Sequence, residues 1–524
     1  MGYRVCIPTA GTGSRLGGLT KYVNKSLVSI ANRPTLCHII EKFPGDTEFV
    51  LALGHKGDLV CDFVSLAYPD RKFIFTDVQP FEGPGSGLGL SLLTCQDYLQ
   101  QPFIFISCDT LVKEDIPPPD VNWVAYADDS DLGTYRTLVI DDNHVSDICE
   151  KGLGKPESHK AYIGLAGIYD YETFWNSMSN GKDDAIQTGE VYGLRNLLHP
   201  TMSAYKFTWF DTGNIAALDR VRDFYREPGA PNILEKANEA IWFVGEQVIK
   251  FSDDQTFIAN RVRRVQELHG YVPDVTGSTA NMYRYQKIEG KVMSEVVSIP
   301  LFTDLLKHCN TFWTKKSLAA AELTEFKNTC LAFYRNKTVE RVELFYRNFN
   351  HKDGHELINS QPMPLLETLL SDINWNWLAD GLPGRFHGDF HFENILWDSK
   401  KHRFTFLDWR QDFGGDLSTG DIYYDFAKLL HGLIISHDLI AGNFYKAEWG
   451  QDEITFDFHR KQILVECEEF FKSWLEIQGY DTKKVWVLTA LIFLNIASLH
   501  HYPYSVLLFA LGKSMLNQEL RDDK

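Results

Sequence analysis

The sequence predicts an α/β protein in at least two parts, and three observations carry that reading. Short apolar runs (YRVCIPT, EFVLALG, KFIFT, FIFISCD) alternate with helix-length segments near the N-terminus, the pattern of a parallel sheet with crossovers. A Pro/Gly-rich stretch, REPGAPN at 226–232, then interrupts the pattern. Beyond it the strand-like pieces AIWFV, QVIKF and MYRYQKIEG surround a polar, helix-like ANRVRRVQEL, and from Leu301 onward long apolar-periodic segments dominate. The expected organisation is a first domain at 1–225, a linker at 226–234, a small β-rich lobe at 235–295 and a larger helical lobe at 296–524.

Composition agrees with a globular chain. At 524 residues, 44% hydrophobic and 13% aromatic, it is long enough for several buried cores. The formal charge of -18, with no long run of Lys or Arg, argues against nucleic acid as a partner. Nine scattered cysteines without a CxxC pair exclude a disulfide framework or a zinc ribbon, so a cytoplasmic location is expected. MGYRVCIPTAG reads as an opening strand, and VWVLTALIFLNIASL at 485–499, too short to span a bilayer comfortably, as a buried helix; no membrane insertion is expected.

The first strand runs into Ala10, Gly11, Thr12, Gly13, Ser14 and Arg15. Glycines after a strand let backbone N–H groups close around a phosphate, and Arg15 or Lys25 would neutralise it. The spacing of GTGSRLG does not meet the dinucleotide pattern GxGxxG. IPTAGTGSRLGGLTKYVNKSLVSIANRP, followed in order by GPGSG at 83–87, FIFISCD ending in Asp109, Glu150-Lys151, YIGLAGIY at 162–169 and WFDTGN at 209–214, resembles the sugar-phosphate nucleotidyltransferases, including their phosphocholine cytidylyltransferase-like members. The resemblance implies a Rossmann-like nucleotidyltransferase domain. In it Asp109 and Asp211 hold Mg²⁺, Arg15 and Lys25 grip a triphosphate, Lys151 lies by the acceptor phosphate, and Ala10, Gly11, Gly13, Ser14, Gly85 and Ser86 seat the nucleotide. CTP is the favoured nucleotide by the same resemblance, with UTP and GTP open. Taken singly, Asp109 and Asp211 also suit a helix cap and a turn, and the lysines suit a solvated surface.

The stretch GRFHGDFHFENILWDSKKHRFTFLD at 384–408 concentrates polar groups. His387 and His391 form an HxxxH pair, yet Gly388 is poor helix material and the Glu of HExxH is absent, which weakens zinc. His387-Gly388-Asp389 to Asn394, with Asp408 after an apolar strand, resembles the catalytic loop and metal-binding Asp of aminoglycoside phosphotransferase and choline kinase-like enzymes. That resemblance implies a bilobal protein-kinase-like (α+β) domain. Asp389 would then be the acceptor's base, Asn394 and Asp408 Mg²⁺ ligands, Lys250 in VIKF a phosphate contact, and Gln286 and Ile288 in YRYQKIEG the adenine-facing hinge. Asp421 and Asp425, in GDIYYDFAKLLHG, are read as structural. Two departures stand: the helix Glu that should pair with Lys250 is not evident, Glu267 coming late, and the loop before Lys250 is not glycine-rich. Trp375, Trp377 and Trp397 suit a core or pocket wall better than a cage for a quaternary ammonium.

Joined in one chain, the two resemblances imply consecutive steps. A small alcohol, amino alcohol, polyol or sugar would be phosphorylated with ATP, and its phosphate coupled to a second NTP, CTP by the family's pattern. The product would be an NDP-linked compound for surface polysaccharide or capsule synthesis. The alternative is a single-activity cytidylyltransferase with a non-catalytic kinase-like regulatory or binding domain.

Overall fold

The computed structural model describes residues 2–128, 132–155, 157–198, 202–226, 238–451 and 453–521. All of the expected linker except Arg226 lies outside them. The chain forms two compact units, 1–258 with 276–287 and 259–275 with 288–524. The lobe expected at 235–295 is therefore divided between them.

The first unit is built on a nine-stranded sheet. Four parallel strands run Lys72–Asp77, Glu48–Leu53, Arg4–Pro8 and Phe103–Ile106 in space, the 3-2-1-4 order of a doubly wound fold. The order reverses between Arg4–Pro8 and Phe103–Ile106, and such switch points open a crevice at the strands' carboxyl ends. Arg4–Pro8 leads into the glycine loop and Phe103–Ile106 into Asp109, so topology alone brings the two motifs to one crevice. Antiparallel pairing then extends the sheet through His159–Ile168 and beyond. Both faces are covered: Ile7, Leu51 and Ile104 point to one core, Cys6, Val50 and Phe105 to the other, as alternation along a strand requires.

The antiparallel strands Glu239–Val244, Gln247–Ser252 and Met282–Gln286 belong to this unit. Trp242 is fully buried in its first core, donates Nε1–H to Ser29 Oγ at 2.9 Å and meets Phe63 edge-on at 5.2 Å. Arg284 closes the attachment by donating to the Leu66 carbonyl at 2.5 Å.

The second unit is mainly helical. Its core includes the helix Ile422–Ile434 and the almost wholly buried helix Thr482–Ala497, the apolar run foreseen as an internal helix. Among the described residues no helix is long and apolar enough to cross a membrane. A hairpin, Ile395–Asp398 with Arg403–Phe406, carries the polar stretch.

Candidate functional sites

In the first unit Lys25 Nζ lies 3.2 Å from Asp109 Oδ2. The glycine loop wraps this lysine: a Cβ on Gly11 would sit 3.9 Å from Lys25 Cε, and one on Gly13 2.9 Å from Lys25 Cβ. Asp211, ending the strand Trp209–Asp211, faces Asp109 because that strand pairs with Thr110–Val112. Thr212 fastens the contact by donating both N–H (3.0 Å) and Oγ1–H (3.1 Å) to the Asp109 carbonyl. Gly213 lies in the gap, where an added Cβ would fall 3.0 Å from Asp211 Oδ1 and 3.2 Å from both Arg15 Nη2 and Asp109 Oδ2. Two carboxylates and the Arg15 guanidinium thus border one point.

The electrostatics of the two acids diverge. Burial disfavours charge on Asp109, but Lys25 and then Arg15 outweigh it and hold the carboxyl below its ordinary range. Asp211 is pushed up by burial first and by Asp109 next, despite donation from the Gly213 N–H at 2.8 Å and the Tyr135 hydroxyl at 3.1 Å. A raised acid beside a lowered one is a pair short of positive charge, which suits a divalent cation. Among the described residues no group of three or more His, Cys, Asp or Glu could hold a metal by itself.

The remaining expected residues of this unit are placed as follows. Ala10 accepts from the His55 N–H at 2.9 Å, and a Cβ on Gly54 would fall between Ala10 and Phe81. Ser14 begins the short helix Ser14–Thr20. Gly85 and Ser86 occupy a turn beyond Lys72–Asp77, closed by Ser86 N–H and Oγ–H donating to the Gly83 carbonyl at 3.1 and 2.7 Å. Lys151 is not tied to the Asp109–Asp211 pair by any hydrogen bond or ion pair among the described residues. Its charge acts on buried Glu190, while its neighbour Glu150 is clasped by Arg136 and Arg195 at 3.0 and 2.7 Å. Lys250 is buried in the strand Gln247–Ser252, and Gln286, in the strand Met282–Gln286, takes a 2.8 Å hydrogen bond from Gln247.

In the second unit the polar stretch forms one hydrogen-bonded loop. Asp425, fully buried on the helix Ile422–Ile434, accepts from the His387 and Gly388 N–H groups, both at 2.7 Å, and from Trp313 Nε1 at 3.0 Å. Gly388 has φ +89°, a left-handed turn that favours glycine, and it aims the next residue, Asp389, outward. Asn394 Nδ2 donates to the Asp389 carbonyl at 2.9 Å and to its Oδ2 at 3.2 Å, and the Asn394 carbonyl accepts from the Leu407 N–H at 2.7 Å, drawing Asp408 alongside. Asp408 has φ +57°, uncommon for a non-glycine residue and typical of strained functional positions. Ile288 lies in the loop that follows Met282–Gln286 and precedes Lys291–Val292.

Each histidine has one ring nitrogen engaged: His387 Nδ1 accepts the Asp389 N–H at 3.2 Å, and His391 Nε2 lies 3.1 Å from Asn394 Nδ2; burial holds the His387 imidazole neutral, down to about 3. Among the described residues no third His, Cys, Asp or Glu joins the HxxxH pair in a group that could hold a metal. The tryptophans do not gather: Trp377 donates to Asp481 at 2.9 Å, Trp375 to the Leu370 carbonyl at 2.9 Å, and Trp397 packs on Phe404 at 4.5 Å.

Residues of the same chain match the model of the phosphotransferase enzyme family. The match spans 319–460 and so includes Asp389, Asn394, Asp408 and Asp425. The N-terminal region resembles nucleotidyltransferases. A bifunctional protein GlmU of Methanocaldococcus jannaschii is 29% identical over 167 residues, 31% of this chain and 38% of that protein. The chain spans 24% of the length of a second such relative, from Methanococcus vannielii. Among solved structures, a putative glucose-1-phosphate thymidylyltransferase of Bacillus anthracis is 19% identical, covering 45% of this chain and 98% of its own, with TM-score 0.37. A CTP:phosphocholine cytidylyltransferase of Streptococcus pneumoniae is 15% identical, covering 43% and 100%, with TM-score 0.35.

Three contacts were not legible in the sequence. Lys428 Nζ sits 2.6 Å from Asp389 Oδ1, from an element 39 residues downstream. Arg261, on the helix Gln255–Arg264 where a partner for Lys250 was sought, instead meets Asp408 Oδ1 at 2.9 Å. Glu267, the acid noted there, faces Lys316 at 3.8 Å. Only a charge at helical spacing from Asp425 hinted at Lys428.

Proposed function

We propose that the chain is a bifunctional enzyme that phosphorylates a small alcohol or sugar with ATP and couples the resulting phosphate to a second NTP, with CTP favoured. The observation that carries this reading is that the first unit gathers Asp109, Asp211 and Arg15 around one point beside the glycine loop, while the second unit ties Asp389 and Asn394 into one hydrogen-bonded loop next to Asp408. In the second unit the acceptor hydroxyl oxygen attacks the γ-phosphorus of ATP, its proton passes to Asp389, and the bond to the bridging oxygen breaks to release ADP. Asn394 and Asp408 would hold Mg²⁺, and Ile288 is the part of the expected adenine-facing hinge that lies in this unit, whereas Lys250 and Gln286, expected from the resemblance as ATP contacts, belong to the first unit. Bound Mg²⁺ supplies charge neutralisation for the polyphosphate.

In the first unit a phosphate oxygen of that product attacks the α-phosphorus of the second NTP and pyrophosphate leaves. Arg15 and Lys25 offset the triphosphate charge, Lys151 attends the acceptor phosphate, and Asp109 with Asp211 would hold the metal. Ala10, Gly11, Gly13, Ser14, Gly85 and Ser86 seat the nucleotide. The resemblance to cytidylyltransferases supports a CDP-linked product for surface polysaccharide or capsule assembly, and the scattered cysteines without a CxxC pair support a cytoplasmic setting.

Mass spectrometry of the full chain with ATP, each NTP and a panel of alcohols tests the scheme. Asp389→Ala should abolish phosphate formation yet leave NDP-product formation from supplied phosphate, and Asp109→Ala should do the reverse. Loss of both activities in either variant counts against two separate centres. The Arg261–Asp408 ion pair favours a second reading, in which the kinase-like part binds a regulator without transferring phosphate. Wild-type protein that never phosphorylates an alcohol, yet releases pyrophosphate, would establish it.

A further inference from the structure

The surroundings of Asp389 are unusually cationic. Lys428, from the helix Ile422–Ile434, stands 2.6 Å from Asp389 Oδ1, while the Asp389 side chain remains 40% exposed. Arg410 packs against the same loop, since a Cβ on Gly388 would fall 2.5 Å from Arg410 Cβ. Lys337, from the helix Lys337–Phe349, shares a ring with Arg410: Lys337 Nζ lies 4.4 Å and Arg410 Cζ 4.9 Å from the centre of Phe333. Phe333 is fixed in turn by Phe413 at 4.7 Å and Tyr424 at 5.1 Å. It belongs to the π-helical stretch Ala332–Asn336, a helix form that recurs at functional sites.

Lys428 pairs with Asp389, and Lys337 and Arg410 come together on the Phe333 ring. Neither Lys337 nor Arg410 has an ion pair among the described residues. The Arg410 Nε–H is buried and meets no hydrogen-bond partner among the described residues. Burial, then Arg410, Lys428 and Arg341, press the Lys337 ammonium down to about 7, with Asp389 opposing them. A partly buried surplus of positive charge is costly until an anion arrives.

We propose that the acceptor carries, besides its hydroxyl, a fixed anionic group, a carboxylate or a phosphate, bound by Lys337 and Arg410. This rests on reading Asp389 as the acceptor's base, and it narrows the open acceptor class away from amino alcohols. A quaternary or primary ammonium at this position would face the like charges of Lys337 and Arg410. A neutral polyol would leave them unmatched.

Two matched sets test it on the full chain: glycerate, glycerol 3-phosphate, glycerol and choline, then glucuronate, glucose 6-phosphate, glucose and glucosamine. Binding is read by calorimetry and phosphate transfer from ATP by mass spectrometry. The expected result is that an acidic member of at least one set binds roughly tenfold or more tighter than its neutral and cationic counterparts. The carboxylate and phosphate arms tell the two anions apart. Lys337→Glu and Arg410→Glu should abolish that preference, and Lys337→Arg and Arg410→Lys, which keep the charge, should retain it. Equal or tighter binding of the neutral or cationic members, no binding by any member, or a preference that survives both Glu variants overturns the proposal. Acids that bind tightly and are never phosphorylated would support the anion site while removing Asp389's role. Phosphorylation confined to choline or glucosamine would do the opposite.

Discussion

Lys428 Nζ lies 2.6 Å from Asp389 Oδ1, so the carboxylate assigned to the acceptor's proton already carries a fixed counter-charge. Burial by itself would raise the Asp389 pKa, but Lys428 and then His391 outweigh it and hold the group well below the ordinary carboxylate range. Asp389 is thereby kept ionised and ready at acidic pH. Lys428→Met should move the acid limb of the kcat/KM profile for acceptor phosphorylation upward by about 1 to 3 pH units. A pH–rate series on both proteins measures it, and an unmoved limb would mean that Lys428 does not set the charge of Asp389.

Gly213 offers a parallel test in the first unit. Its missing side chain leaves room for Asp211, Arg15 and Asp109 to border one point, with the nearest oxygen 3.0 Å from where a Cβ would stand. Gly213→Ala should displace those groups by a few tenths of an ångström and lower nucleotidyl transfer by roughly tenfold to a hundredfold, because misplacement at a charged transition state is costly. Stability should change by less than about 1 kcal/mol, since Asn214 still caps the helix Ile215–Phe224. Pyrophosphate release and a thermal melt separate the two effects. A large loss of stability would point to packing instead of positioning.

The legible parts of this molecule are those written locally. The glycine loop follows one strand, Asp109 follows another, and HGDFHFEN folds as one short hydrogen-bonded loop, because turns, strand ends and short loops are specified by neighbouring residues. The hidden parts depend on distant contacts. Lys428 meets Asp389, and Lys337 meets Arg410 over Phe333, only after distant elements pack, and no periodicity links them. Trp242 read as a lobe residue, yet its ring is buried against Phe63 in the sheet's core, a choice made by tertiary packing. Arg261 shows the same limit: the helix was foreseen, but the absence of a glutamate there did not disclose that a cation would face Asp408.

Asp425 is the fastening of the loop that carries Asp389. Its carboxylate accepts the His387 and Gly388 N–H groups and Trp313 Nε1, so Asp425→Ala leaves three buried donors without partners. The expected cost is about 3 to 5 kcal/mol in the second unit, with phosphate transfer lost and nucleotidyl transfer retained. Burial, partly offset by those N–H donors, pushes the folded pKa up to about 6, above the ordinary value of about 3.9 in an unfolded chain. The folded state therefore binds more protons between these values, and the contribution of Asp425 to stability falls as pH rises from about 4 to 6. Asp425→Asn should remove that slope. Urea midpoints of both proteins across this range, taken as a difference, isolate the residue, and parallel curves would contradict the assignment.

Lys337 gives a pH signature for the anion site. Burial and the cations Arg410, Lys428 and Arg341 hold its ammonium at about 7, Asp389 opposing. Its charge is present below that pH and lost above it. Arg341 shares its helix, Arg410 reaches it beside Phe333, and Lys428 with Asp389 faces it from the loop and the helix Ile422–Ile434. If an anionic acceptor needs the charged form, KM for that acceptor rises above pH 7 by up to about tenfold per unit, while kcat at saturation changes less. Lys337→Arg keeps its charge over the same range and should flatten the profile, because a guanidinium does not titrate there. A glycerate or glucuronate titration between pH 6 and about 9 supplies the comparison. An identical rise in the arginine variant would assign the titration to another group and remove Lys337 from the binding of the anion.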